Sequence, residues 1–482
     1  MGAAFGPLLC KSLRPGEVLT VLKNANRALI LTGLVLAAGS AQAANGCAPG
    51  TFSTTLSPDR NSTSFLFDSL FAISDRTQGP GRTTCSLSAP VTQAKGYSVF
   101  SVDYRGFTTK TGDQTVTLDG GKKGDRVRLY NPDGEVAEDY EINRRMGTVD
   151  SETLDLSILL TAEGQDGDLD AAQIFLDTLD VSRIGFTTRE SVKGSLDGLA
   201  EQRRSLLAGV DTVAGRILGL TDPFAGDDYI SAFAGTEGLV GFNARWNATE
   251  EITLMGGLAG YDARQTGTDA DNMLIAAASA RYAIPLDDGW KAFGEVGIWG
   301  SPDVEAKYTR DYINAGKLVS RTNDASGSLI GGHVRVGVAY APDTQNEFTA
   351  ALRLSRSALD VASYAETPDA DNLFAAALSG KSTVADTADV TVMWTHALNP
   401  TVDYSLFATA GQTFGNGDAV KADVDWVGKA TGGWETRRFG SVGARVGWKF
   451  HENWAVDTRA SLTVAEESKP RWNAGLQLKA SF

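Results

Sequence analysis

The sequence predicts an all-β protein: a twelve-stranded antiparallel transmembrane β-barrel over the C-terminal half, preceded by a small β-rich, sandwich-like domain. Three observations predict it. Strand-length segments after residue 220 alternate apolar and polar side chains, as a wall between lipid and a lumen must. A soluble sandwich also alternates, but here the apolar rows end in aromatics and the polar rows carry Arg and Lys deep within the strand. Finally, short turns take turns with long polar stretches, the asymmetry of an outer-membrane barrel.

The strands follow in order. The last sets Trp472, Ala474, Leu476, Leu478, Ala480 and Phe482 on one face and Asn473, Gly475, Gln477, Lys479 and Ser481 on the other. The segment before it opposes Trp454, Val456, Ala460, Leu462 and Val464 to Asp457, Arg459, Ser461 and Thr463. Before that, Val442, Ala444, Val446, Trp448 and Phe450 oppose Ser441, Arg445 and Lys449. Walking backwards, Trp246, Tyr282, Tyr340, Trp394 and Phe450 each precede a short polar turn. With Trp448 they are expected to form an aromatic girdle on the short-turn side. The strands expected are 228–236, 239–247, 251–264, 272–284, 290–302, 328–341, 346–358, 386–397, 401–414, 438–450, 453–465 and 471–482. Ser301–Ser326 and Asn416–Arg437 read as long loops. Arginine should be costly at lipid-facing Val336 or Leu476 and much cheaper at lumen-facing Gly337 or Gln477.

The 482-residue length allows two domains, and all nine tryptophans and all three histidines fall at or after Trp246. A boundary near residue 220 follows. No run of 18 apolar residues exists after the first 45 positions, so any membrane span must be made of strands. A formal charge of -15 argues against nucleic acid as a partner.

Residues 1–44 read as a signal peptide. Lys23 and Arg27 supply positive charge, Ala28–Ala38 an apolar stretch, and Ala41-Gln42-Ala43 a small-x-small cleavage site. Residues before about 21 exceed what a signal needs and are expected to be a mis-called start. Cys10 falls in that part. Cys47 and Cys85 remain, two thiols in an oxidising compartment, and are expected to pair.

Residues 45–190 hold short β-like runs, including Tyr97–Val102 and Arg126–Tyr130, and the turn signal Asn131-Pro132-Asp133-Gly134. No repeat period is visible. The segment has no histidine, which removes Ser-His-Asp and Cys-His chemistry and most zinc sites. Asp166-Gly167-Asp168-Leu169-Asp170 opens like a calcium loop, but Ala171 stands where the turn glycine belongs and Asp177 where the terminal Glu does. No catalytic residue, metal or cofactor is expected.

The second half resembles the translocator domain of autotransporters, self-secreting proteins of Gram-negative bacteria. The resemblance rests on Leu239–Tyr261, with its Gly-Phe-Asn-Ala-Arg-Trp strand, on Val446-Gly447-Trp448-Lys449-Phe450 and on the closing Lys479-Ala480-Ser481-Phe482. It implies that residues 45–190 are a passenger exposed at the cell surface and that 221–482 anchor it in the outer membrane. Phe482, with Trp472, Leu476 and Leu478 on its row, looks like the signal read by the barrel-assembly machinery. Outer-membrane lipid, that machinery, periplasmic chaperones and an unknown surface ligand are the partners implied. Family members thread an α-helix through the pore, and 191–220 fits. It lacks proline, is rich in helix formers, and about thirty residues span roughly 45 Å. Asp197, Glu201, Arg203, Arg204, Asp211 and Arg216 would meet a polar lumen; alternatively Leu199, Leu206, Val210 and Val213 would pack on the passenger. Some members cleave this helix through an asparagine side chain, and this one has none. A non-enzymatic role in adhesion or surface interaction is the leading expectation. A porin-like channel with a periplasmic N-terminal domain is the alternative.

Overall fold

The computed structural model of the chain describes residues 47, 50–73, 81–90, 95–109, 115–120, 126–129, 138–151, 153–163, 173–265, 268–466 and 470–482. The expected signal peptide, the Asn131–Gly134 turn and the Asp166–Asp170 run lie outside them. Ala43–Phe482 forms one compact unit.

The N-terminal domain is built of β1 (Phe52–Leu56), β2 (Ser62–Ile73), β3 (Gly81–Pro90), β4 (Tyr97–Thr109), β5 (Thr115–Gly120), β6 (Arg126–Leu129), β7 (Glu138–Val149), β8 (Thr153–Glu163) and β9 (Gln173–Thr187). They form two antiparallel sheets, ordered β1-β2-β9-β4-β7 and β3-β8-β5-β6. Alternation explains the pairing. Phe65, Phe67, Leu70 and Ala72 of β2 and Ile174, Leu176, Leu179 and Val181 of β9 are buried. So are Leu154, Leu156, Ile158 and Leu160 of β8, and β2 touches both β3 and β8. Cys47 and Cys85 form a disulfide with Cα atoms 5.0 Å apart, and Cys85 is fully buried on β3.

One residue after β9 begins α1 (Arg189–Ile217). It starts two residues earlier than the sequence suggested because Thr188 is its N-cap, the side-chain oxygen accepting from the Ser191 N–H. Its end comes at Leu218, where Gly219 takes the left-handed conformation (φ +57°). Among the described residues no helix is long and apolar enough to cross a membrane.

The barrel strands are β10 (Tyr229–Gly235), β11 (Val240–Asn247), β12 (Ile252–Gln265), β13 (Thr268–Pro285), β14 (Trp290–Asn314), β15 (Lys317–Tyr340) and β16 (Asn346–Val361). After two short strands, β17 (Tyr364–Ala365) and β18 (Ala376–Leu378), come β19 (Lys381–Asn399) and β20 (Val402–Thr413). Next is the hairpin β21 (Asn416–Val424) and β22 (Gly428–Trp434), followed by β23 (Arg437–His451), β24 (Trp454–Ala465) and β25 (Arg471–Ser481). The described residues close a barrel of β10–β16, β19, β20 and β23–β25, sealed by β10 against β25 with Tyr229 opposite Ser481 and Gly235 opposite Gly475. Each of the twelve expected strands is present.

Two expected loops are not loops. Ser301–Ser326 continues the β14–β15 ladder to a turn at Ala315–Gly316. The alternation persists there, with Val304, Ala306, Tyr308, Arg310 and Tyr312 facing inward, but polar outward residues disguise it. Asn416–Arg437 holds the β21–β22 hairpin, which joins β17 and β18 in a separate four-stranded sheet. That sheet lies on α1: a Cβ added at Gly432 would stand 2.3 Å from the Leu196 carbonyl carbon, so the hairpin approaches this closely only because residue 432 is glycine.

Candidate functional site

The outer wall is an apolar surface. Ile298, Ile330 and Phe242 are 67 %, 65 % and 64 % exposed, and the outward row continues through Val296, Val336, Leu354, Val392 and Leu476. A continuous apolar band of this kind faces lipid rather than water. Aromatics gather at its short-turn edge. Trp246, Tyr282, Trp448 and Phe450 are exposed, whereas Tyr340 and Trp394 are half-buried, stacked on Trp290 (4.3 Å) and Phe348 (6.4 Å). Trp472, Leu476, Leu478 and Phe482 all face outward, Phe482 donating its N–H to the Asp228 carbonyl at 3.3 Å.

Inside runs α1. Its apolar stripe (Val192, Leu196, Leu199, Leu206, Val210, Val213 and Ile217) recurs every three or four residues. The alternative, in which these residues pack on the N-terminal domain, is not the arrangement observed. They pack on the barrel's own inner wall, against Ala259, Tyr261, Ala263, Met273, Ile275, Ala277 and Trp299. The lumen is therefore apolar along β12–β14, where small residues leave the helix room.

The helix's charged residues meet the rest of the barrel. Asp211 accepts from Arg353 at 3.2 and 2.9 Å, and Arg353 also holds Asp389. Glu201 binds Arg204 and, at 3.0 Å, Arg437. Asp197 accepts the Gly433 N–H at 3.0 Å. Gln202 makes a two-bond clasp with the Thr309 backbone, at 2.6 and 3.0 Å. Arg203, expected in a polar lumen, is instead fully buried over the Tyr308 ring, donating to Thr383 at 3.2 Å.

Below α1, residues 219–228 cross the floor and are bound on all sides. Asp222, buried, takes up Arg459, the Tyr229 hydroxyl (2.9 Å) and Lys479 (3.4 Å). Lys479 also reaches Asp457 at 2.7 Å, and Asp457 shares Arg445 with Asp403. Glu347 accepts the backbone N–H groups of Phe224 (2.6 Å) and Ala225 (2.9 Å), while Arg245 donates to the Pro223 and Phe224 carbonyls. Next to them Glu295 gathers Arg281 (2.9 Å), His333 (3.3 Å) and Arg335 (3.5 Å). Sequence reasoning missed Asp222, Glu347, Glu295, Arg353 and Arg310, the last paired to Glu366 at 2.6 Å. The available signal was a charge on an inward row; Asp222 gave none, because it lies in no strand.

The helix therefore has a direction. Its N-terminal end lies among β14, β21 and β22, and Ser191 accepts the Ile313 N–H at 2.8 Å. Its far end points to the short turns, where Asn243 donates to the Ile217 carbonyl at 2.9 Å. The N-terminal domain accordingly sits on the long-hairpin mouth. The Phe186 N–H donates to Asn314 (3.0 Å) and its carbonyl accepts from Ala315 (2.7 Å). At the same joint Asp150 pairs with Arg189, which holds its carboxyl below the usual range.

Fold and lumen together define a helix-plugged, twelve-stranded antiparallel barrel carrying a β-rich domain at one mouth. Among solved structures the chain is similar to the translocator domain of autotransporter NalP from Neisseria meningitidis, at 14 % identity and a TM-score of 0.41, over 59 % of this chain and 99 % of that one. It is similar to the beta domain of the Bordetella autotransporter BrkA at 12 % identity and a TM-score of 0.33, over 54 % and 100 %. It is similar also to the porin NanC at 7 % identity and a TM-score of 0.30, over 53 % and 98 %. Residues 39–124 match a family described as a domain of unknown function (DUF4360). No curated protein matches the chain.

Proposed function

We propose that the protein is an outer-membrane autotransporter whose barrel helps export, and then anchors, its own N-terminal domain at the cell surface. The observation that carries this reading is the course of α1: it enters the lumen beneath the N-terminal domain at the long-hairpin mouth and leaves at the short-turn floor. Short turns face the periplasm in outer-membrane barrels, so the domain at the opposite mouth lies outside the cell. The domain stays attached. The helix lacks asparagine, and ion pairs along its length hold it in the lumen. The displayed domain acts without catalysis, by surface contact with a ligand. Assembly passes through periplasmic chaperones and the barrel-assembly machinery, which reads Phe482 and its row.

Surface proteolysis of intact cells tests this. A protease site placed after Asp150 should be cut from outside, splitting the chain into two fragments on denaturing gels while the barrel stays in the membrane. Protection of that site in intact cells, with cleavage only after the envelope is opened, would instead support a porin-like channel with a periplasmic domain.

A further inference from the structure

Beside α1 the lumen is not filled. A cavity of about 1120 Å³ lies between the helix's polar face and the wall formed by β16, β19, β20, β23–β25 and β10. Its mouth is at the long-hairpin end, between Thr236 and Arg438, and among the described residues none of the N-terminal domain lines it. Its lower end meets the floor segment at Leu220 and Thr221, beside the Asp222 cluster. The pocket is thus blind. Hydroxyl groups of Thr391, Thr409, Ser441, Ser461 and Thr463 line the barrel side.

At the bottom two guanidinium groups, Arg216 and Arg459, line the cavity. Arg459 uses its Nη2 on Asp222, leaving its Nε buried without a partner. Arg216 makes no hydrogen bond or ion pair among the described residues. It lies over the Phe233 ring, its centre 5.7 Å away, with Nη2 buried and unpartnered. In this corner four cations (Arg216, Arg445, Arg459 and Lys479) face three carboxylates (Asp222, Asp403 and Asp457). An unpaired guanidinium next to open volume, with donors to spare and a surplus positive charge, matches an oxyanion.

We propose that this cavity binds a small oxyanion, a phosphate- or carboxylate-bearing solute, with Arg216 as its anchor, Arg459 as second donor and the threonine and serine hydroxyls around it. The size suits a ligand larger than a bare ion, and the polar wall favours a hydroxylated one. This reading stands whichever way the N-terminal domain faces.

The test is calorimetry on the full chain in non-ionic detergent at low ionic strength, titrated with inorganic phosphate and separately with succinate. Saturable binding of one equivalent is expected, and the better of the two anions identifies the headgroup. Arg216→Gln should weaken binding at least about tenfold, the worth of one charge-assisted hydrogen bond. Ser461→Leu, which narrows the cavity while leaving both guanidiniums, should weaken it too. Arg321→Gln, on an exposed pair outside the cavity, should not. Heat-modifiable migration checks that each variant is folded, and Ser461→Leu decides the matter if Arg216→Gln is not. No saturable binding of either anion, or unchanged affinity in the folded cavity variants, would overturn the proposal.

Discussion

Val336 and Gly337 are neighbours on β15, and side chains at the two positions meet different media. Val336 is 51 % exposed on the lipid face, so Val336→Arg should cost about 2–4 kcal/mol near the bilayer midplane. The expectation that arginine is cheap at Gly337 does not survive: a Cβ there would stand 2.4 Å from the Ala350 carbonyl oxygen and 2.6 Å from the Phe293 ring. Gln477 is no more tolerant, because it is buried and donates to Ser231 at 2.7 Å and to Asn243 at 3.2 Å. Thr409, which lines the open cavity, is the lumen-facing site where arginine should cost much less than at Val336. Denaturant midpoints of folding into vesicles measure both, and equal costs would mean that the wall was misassigned. The sequence showed which way these side chains point, since period-two alternation is local. It did not show which inward positions are packed, because that depends on where α1 lies in the lumen.

The elements divide in the same way. Strand positions were legible because lipid on one side imposes an apolar row over the whole span. The extended tips of β14 and β15 were not, because above the membrane the outward row turns polar and the contrast fades. For α1, the absence of proline located the helix, while its true start lay hidden in the cap at Thr188. The salt bridges along it make a prediction. Arg353 serves both Asp211 and Asp389, so Arg353→Met strands one buried and one half-buried carboxylate and should cost about 3–5 kcal/mol. Asp211→Asn should cost less, since Arg353 keeps Asp389. Unfolding followed by gel mobility distinguishes the two, and a reversed order would show that the helix is not held through this pair. In the N-terminal domain the disulfide joins residues 38 apart and contributes about 4 kcal/mol in the chain-entropy model. Replacing both cysteines by serine should destabilise that domain alone, leaving barrel insertion and surface delivery intact. Reducing and non-reducing proteolysis of the two forms would show it, and loss of barrel insertion would contradict it.

For the whole molecule, closure is the governing event. β10 and β25 come from opposite ends of the barrel sequence and must meet before the seam is sealed. Phe482 extends that seam, 74 % exposed with its N–H on Asp228, and deleting it should lower the yield of heat-modifiable protein in the outer membrane. Unchanged yield would count against its role in assembly. Removing residues 45–220, the N-terminal domain together with its helix, should convert the plugged barrel into an open one, seen as a rise in single-channel conductance in planar bilayers. Equal conductance with and without the helix would mean that it does not block the lumen.

Only Thr188 separates β9 from α1, so the domain and the helix have no slack between them. A tensile load on the N-terminal domain therefore passes straight down the helix axis. The ion pairs at Glu201 and Asp211 lie crosswise to that axis and would be loaded together in shear, with the Asp222 cluster as the final anchorage beneath them. Pulled from outside, such a domain should rupture within its own sheets before the helix slips. The tether would then outlast the fold of the domain it carries.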